Sequence, residues 1–147
     1  MSRGPFEKER CSMWLEPNEE GMRWLLQARQ DLDDAKYCFQ GKRFNLACFL
    51  SQQAAEKAVK AFIYAQGEEI VFGHSVAQLL KHAMRYNPGL DDVKRAGGLD
   101  KYYIPTRYPN GLPGGLPFEA FDEVDAKIAL EMAAQVLEYV GEALNEH

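Results

Sequence analysis

Residues that build catalytic or metal chemistry are scarce in this chain. It has three cysteines (Cys11, Cys38, Cys48), an odd number without a Cys-x-x-Cys pair. That pattern points to small hydrophobes in a reducing compartment rather than a disulfide frame or a zinc site. Three histidines (His74, His82, His147) include no Glu-x-x-His pair, so a di-iron bundle lacks its ligands. No Walker-type glycine loop, dinucleotide fingerprint or Gly-x-Ser-x-Gly elbow is present. Basic charge is not in excess: the net charge is −5, which argues against broad binding to duplex DNA. No apolar stretch approaches the length of a membrane span. Glu7, Lys8, Glu9 and Arg10 interrupt any signal-peptide core between Met1 and Glu16. The default compartment is therefore cytoplasmic, and neither a metal nor a cofactor is implied.

What is present reads as helix. With 147 residues, 46% of them hydrophobic, the chain is long enough for one domain with its own core. Residues 1–17 lack periodicity and are expected to form a flexible arm, with Trp14 and Leu15 able to pin it; residues 18–147 form the domain. Pro17-Asn18 before Glu19 and Glu20 predicts a helix start capped by a side chain. Met22, Leu25, Leu26, Leu32, Ala35 and Phe39 then recur at helical spacing as far as Gly41. A second helix is expected over 44–66, closed by Gly67. One row on it is dominated by small residues (Ala47, Ser51, Ala54, Ala58, Phe62, Ala65), and Leu46, Leu50, Ala55, Val59 and Ile63 widen the apolar surface. The remaining polar strip is Gln53, Glu56, Lys57, Lys60 and Tyr64. A helix apolar around most of its girth is a central one, so its polar strip should face solvent, a cleft or a partner.

Ser75-Val76-Ala77-Gln78 fits a capping box at the head of a shorter third helix. Residues 91–103 read as one or two short helical turns weakened by Gly97-Gly98. Pro105, Pro109, Pro113 and Pro117, with Gly111, Gly114 and Gly115, predict a long irregular loop of stiff path. The last helix is expected from about Glu119, with a stripe of Phe121, Val124, Ile128, Met132, Val136, Val140 and Leu144. There is no internal repeat and no strand-like alternation. The expected fold class is all-α: an antiparallel up-and-down bundle of four main helices, a short helix and a Pro/Gly-rich loop before the last helix.

Two segments carry the candidate chemistry: Gln53–Lys60 (QAAEKAVK) and Tyr103–Asn110 (YIPTRYPN). Together with the GHSVAQLL helix start between them, they resemble the HEPN domain (higher eukaryotes and prokaryotes nucleotide-binding) over roughly residues 20–145. The resemblance implies a helical bundle that is often a homodimer and often occurs beside a minimal nucleotidyltransferase, in pairs that frequently act as toxin and antitoxin. It also implies nucleotide binding in some members and metal-independent RNA cleavage in many. Members that cleave RNA carry a histidine four to six residues after an arginine. Arg107 is followed by Tyr-Pro-Asn-Gly-Leu-Pro instead, which resembles the "RYP" branch and leans away from an enzyme.

The candidate site for a nucleotide or RNA phosphate is a small basic pocket of Lys57, Lys60, His74, Arg107 and Tyr108, supported by Gln53, Glu56, Tyr103 and Asn110. Lys57 and Lys60 share a helix face, although Glu56 could simply pair with Lys60. Arg107 is a planar, permanently charged fork suited to phosphate and framed by Pro105 and Pro109; it could equally anchor the loop. Tyr103 and Tyr108 could stack on a base or pack on the core. His74 precedes a helix N-terminus, where anions bind readily, or merely ties helix to loop. Asn110-Gly111 is a turn first. The alternatives are a ribonuclease using Arg107 and possibly His74, and a purely structural interaction subunit.

Overall fold

The chain was described by a computed structural model, which covers residues 16–145. The expected arm, with Trp14 and Leu15, lies almost wholly outside the described residues, as does His147. The described chain is all-α, without strands. Its α-helices are α1 (Pro17–Gln40), α2 (Phe44–Ala65), α3 (Val76–Ala83), α4 (Pro117–Ala120) and α5 (Glu123–Asn145). A 3-10 run, Pro88–Tyr102, fills the space between α3 and the loop.

α1 and α2 form an antiparallel hairpin across Gly41–Arg43. Gly21 near the start of α1 lies against Ala61 and Ala65 near the end of α2, and Phe39 meets Phe44 at the turn. The small side chains of Ala61 and Ala65 allow this closeness. A Cβ added to Gly21 would stand 2.8 Å from the Ala61 carbonyl oxygen, so only glycine lets the backbones approach this far. α5 packs along both helices, with Gly141 beside Arg29 of α1. α2 is the central helix, and Ala54, Ala55, Ala58, Val59, Ala61 and Ile63 are wholly buried on it.

Several boundaries differ from the sequence reading. α1 begins at Pro17, whose fixed φ suits the first helical position; Asn18 therefore lies inside the helix and caps nothing. At its far end Gly41 bonds back to Tyr37, but the left-handed residue is Lys42, with φ 60°. Gly67, with φ 106°, follows α2 as expected. The 3-10 run is continuous through Gly97-Gly98. Gly97 serves close packing rather than breaking the run: a Cβ there would meet Ala77 Cβ at 2.9 Å.

The Pro/Gly loop is not devoid of regular structure. It contains a 3-10 turn, Pro109–Gly111, and the single turn α4. α5 starts at Glu123 rather than Glu119, because Asp122 and Asp125 close a reciprocal cap. Asp125 N–H donates to Asp122 Oδ1 at 2.9 Å, and Asp122 N–H donates to Asp125 Oδ2 at 3.0 Å, the geometry of a capping box. The buried stripe of α5 runs through Ala126, Ala129, Met132, Ala133, Val136, Leu137 and Val140, which leaves Val124 and Ile128 exposed. Leu26 of α1 is exposed as well.

Candidate functional site

The polar strip of α2 is mostly covered rather than open. Glu56 is 3% exposed and Lys60 6%, and a charge buried that far needs partners. Lys60 Nζ donates to Glu56 Oε2 at 3.2 Å and lies 5.5 Å from the Trp24 ring centre. Lys57 Nζ pairs with Asp31 Oδ2 at 2.5 Å, and Gln27 donates to the other oxygen of Asp31. Each lysine thus has its own carboxylate. The expectation that both line a pocket shared with Arg107 is corrected accordingly: their ammonium charges are spent on joining α1 to α2 and on holding Glu56. The groove beside Lys57, about 680 Å³, is lined by Glu20, Arg23, Trp24, Leu26, Gln27 and Gln30, with neither His74 nor Arg107 among them.

Arg107 is differently placed. Its Nε and Nη2 both donate to the Tyr103 carbonyl oxygen. The guanidinium carbon lies 4.1 Å from the Phe49 ring centre, 5.0 Å from Tyr103 and 5.1 Å from Tyr108. Three rings and a carbonyl orient the fork, a setting in which arginine outperforms lysine. Among the described residues no carboxylate lies within ion-pair distance of it. The fork thus has a fixed orientation and, among the described residues, no carboxylate partner.

Local sequence accounts for that pose. Pro105 sets a turn in which Arg107 N–H and Tyr108 N–H both donate to the Ile104 carbonyl. Thr106 is wholly buried, its hydroxyl donating to Tyr102 O, while Asn45 at the head of α2 donates to Thr106 O at 3.0 Å. Gly111 closes the loop against Pro105, where a Cβ would stand 3.0 Å from the proline Cα. Asn110 and Tyr108 are exposed on this turn.

His74 links Tyr103 to Glu56. Its ring stacks on Tyr103 at 5.1 Å and 17°, and its Nδ1 lies 3.2 Å from Glu56 Oε1. Gln53 donates to Gln52 Oε1 at 2.8 Å, with Glu56 Oε1 more distant at 3.5 Å. A contiguous series results: Arg107, Tyr103, His74, Glu56, Lys60, Trp24. Of the predicted residues, the structure brings His74 and Arg107 onto the Tyr103 ring, with Tyr108 beside Arg107.

The expected anion site at the start of α3 is already filled, because Asp100 occupies it. Asp100 Oδ1 accepts from Val76 N–H at 2.7 Å, and Oδ2 accepts from the Ser75 hydroxyl at 2.8 Å and Ala77 N–H at 3.1 Å. Ser75 in turn caps Gln78 N–H, half of the predicted capping box.

Four residues of the site escaped the sequence reading: Asn45, Phe49, Gln52 and Asp100. Gln52 had a signal. It falls in helical register with Ala55 and Val59 on the apolar face, where a glutamine must find buried partners. It is wholly buried and donates to the His74 carbonyl at 2.8 Å. The other three carried no local sign.

The fold and site define a helical-bundle domain built on one central helix, with an ionic and aromatic series from Arg107 to Trp24. The sequence model of the HEPN domain matches residues 22–144, and the chain belongs to that family. It is 28% identical over 134 residues to "Putative toxin MJ1304" of Methanocaldococcus jannaschii, covering 84% of this chain and 87% of that protein. It also resembles the crystal structure of TT1696 from Thermus thermophilus, with TM-score 0.79, 37% identity, and coverage of 84% of this chain and 97% of that one. A second crystal structure, ST0689, an archaeal HEPN homologue, aligns with TM-score 0.71 and 39% identity, covering 85% of this chain and 98% of that one. Among the described residues no helix is long and apolar enough to cross a membrane.

Proposed function

We propose that this HEPN module takes the phosphate of a nucleotide or of single-stranded RNA at the corner formed by Arg107, His74, Tyr103 and Tyr108. One observation carries the reading: a guanidinium held by three rings and a backbone carbonyl, with no carboxylate against it among the described residues. A phosphate would supply the anionic partner that this guanidinium lacks among the described residues. Glu56 backs His74, with Lys60 and Gln53 behind it; Lys57, paired with Asp31 in the neighbouring groove, stands apart from the corner. Tyr108 and Asn110 form its exposed rim.

The likeness to an archaeal protein named as a toxin supports a role in a toxin–antitoxin-like pair. Family resemblance supports a minimal nucleotidyltransferase as partner and a homodimeric state, and the unpaired cysteine pattern supports action in the cytoplasm. Exposed Phe72, Phe118 and Val124 provide apolar surface for such contacts.

Calorimetric titration with ATP and with a short RNA tests the reading. Arg107→Ala loses most of the affinity, while Lys57→Ala keeps it. Equal affinity in wild type and Arg107→Ala, or none in either, removes the proposal.

A second reading, metal-independent RNA cleavage by Arg107 and His74, gains from the Glu56–His74 contact, since a carboxylate behind an imidazole is how many enzymes orient a base. Structured RNA incubated with EDTA decides it. Cleavage that disappears in both His74→Ala and Arg107→Ala establishes this reading; intact RNA removes it.

A further inference from the structure

The pairing of His74 with Glu56 has a consequence for any anion at this corner. Glu56 is 3% exposed, with one oxygen on Lys60 at 3.2 Å and the other 3.2 Å from His74 Nδ1. A carboxylate only accepts hydrogen bonds, so Nδ1 carries the proton. Nε2 is then the ring nitrogen left for a ligand, on a side chain 61% exposed. Phosphodiester oxygens also only accept. For Nε2 to face one, it too must carry a proton, and an imidazole protonated at both nitrogens is a cation.

We propose that phosphate binding at this corner is proton-linked: the ligand enters together with one proton on His74, and Glu56 enforces this by holding Nδ1–H. Glu56 is a positioning residue here; His74 and Arg107 make the contacts. The inference rests on the phosphate-binding reading above and adds the condition under which that site is filled.

Other charged and titratable groups surround the ring from each neighbouring element. On α2, Lys60 stands behind Glu56. From the 3-10 run, Asp100 approaches through Gln52, which holds the His74 carbonyl. Tyr103 covers one face of the ring, with Arg107 and Tyr108 beyond it. Among these groups only Glu56 is bonded to a ring nitrogen, so it alone dictates which nitrogen keeps the proton.

The experiment uses a short single-stranded RNA without terminal phosphates, because its phosphodiesters keep a fixed charge across the histidine range. Dissociation constants are measured from about pH 5.5 to about pH 8.5. Wild-type affinity falls by up to about tenfold per pH unit toward the alkaline end of that range, the slope of one linked proton. Two variants flatten it. His74→Gln donates without taking up a proton. Glu56→Gln, of nearly the same shape, can donate to Nδ1 and so frees a neutral ring to carry its proton on Nε2.

A separate nitrogen-15 spectrum of unliganded protein at high pH shows Nδ1–H for His74 in wild type and loses that preference in Glu56→Gln. A merely structural Glu56 would move neither slope nor tautomer. RNA binding with no pH slope, a slope unchanged in His74→Gln, or a wild-type Nε2–H tautomer overturns the proton linkage and leaves the binding reading standing. Absence of RNA binding at every pH overturns both.

Discussion

Asp100 and Ser75 share one hydrogen bond, 2.8 Å long, and through it the end of the 3-10 run is fastened to the start of α3. Asp100 also takes two backbone N–H groups of α3. A carboxylate from a remote segment thus provides the negative charge that the N-terminal end of a helix favours. This contact keeps the Gly73–Ser75 approach, and hence His74, in place over Glu56.

Removing that carboxylate should be costly. Asp100→Ala leaves two N–H groups and the Ser75 hydroxyl without their acceptor, and it should destabilise the fold by about 1–3 kcal/mol. A lower urea midpoint at unchanged slope is the expected measurement. An unchanged midpoint would show that the cap is dispensable.

Arg107→Lys should fail to substitute. A lysine cannot place two donors on the Tyr103 carbonyl or stack between Phe49 and Tyr108. The loop turn should loosen by about 1–2 kcal/mol, read as roughly tenfold or faster hydrogen exchange at the Tyr108 and Gly111 amides. Both amides donate within this turn. Exchange rates equal to wild type would place the anchoring of the loop elsewhere.

Glu68 gives an acid-side dependence. Partial burial raises its carboxyl, but hydrogen bonds from His82 and Tyr86 outweigh burial and hold it below the usual glutamate value of 4.5. A lowered folded-state value means the stabilisation is complete above the ordinary carboxylate range and is lost as pH falls through the folded value. Glu68→Gln should therefore be less stable than wild type near neutrality, with the two proteins converging in strong acid. Curves that stay parallel from neutral to acid pH would refute the linkage. Tyr86, raised above 10.0 by its bond to Glu68, contributes in the opposite sense: its share is present below the ordinary tyrosine range and lost as pH climbs through the raised value.

Cys48 should be chemically silent. It is wholly buried, and burial, reinforced by Asp125 and Asp122, pushes its thiol up to about 12. Maleimide at about pH 7.5 should label Cys38 slowly and leave Cys48 untouched until denaturant is added. Peptide mapping of native labelled protein reads this out. Rapid native labelling of Cys48 would mean that the start of α2 opens far more often than its packing implies.

The bundle was legible because its signals are local. Apolar spacing, Gly41 and Gly67, and the serine before Val76 mark helices and ends that the fold reproduces. The 3-10 run was legible only as one or two short turns, because Gly97 looks like a breaker until Ala77 is seen packed against it. The same limit applies to the site. Helical register placed Lys57 and Lys60 on one face, but their partners are Asp31 on the neighbouring helix and Glu56, itself buried between Lys60 and His74. A sequence announces a cation without saying which anion three-dimensional packing brings to it. Arg107 fared better, since two prolines and two tyrosines fix its surroundings within a few residues, with Phe49 the one distant contributor.

The α1–α2 hairpin has a bearing on how the protein is made. Its two helices meet across a three-residue turn, Gly41–Arg43. Their pairing can spread outward from that turn and needs no residue beyond α2, so it can form while the rest of the chain is still being synthesised. The Arg107 corner draws on Phe49, His74 and Tyr103 from three separate stretches. A nascent chain would hold its scaffold well before it could grip an anion, and the working surface would be completed late in translation.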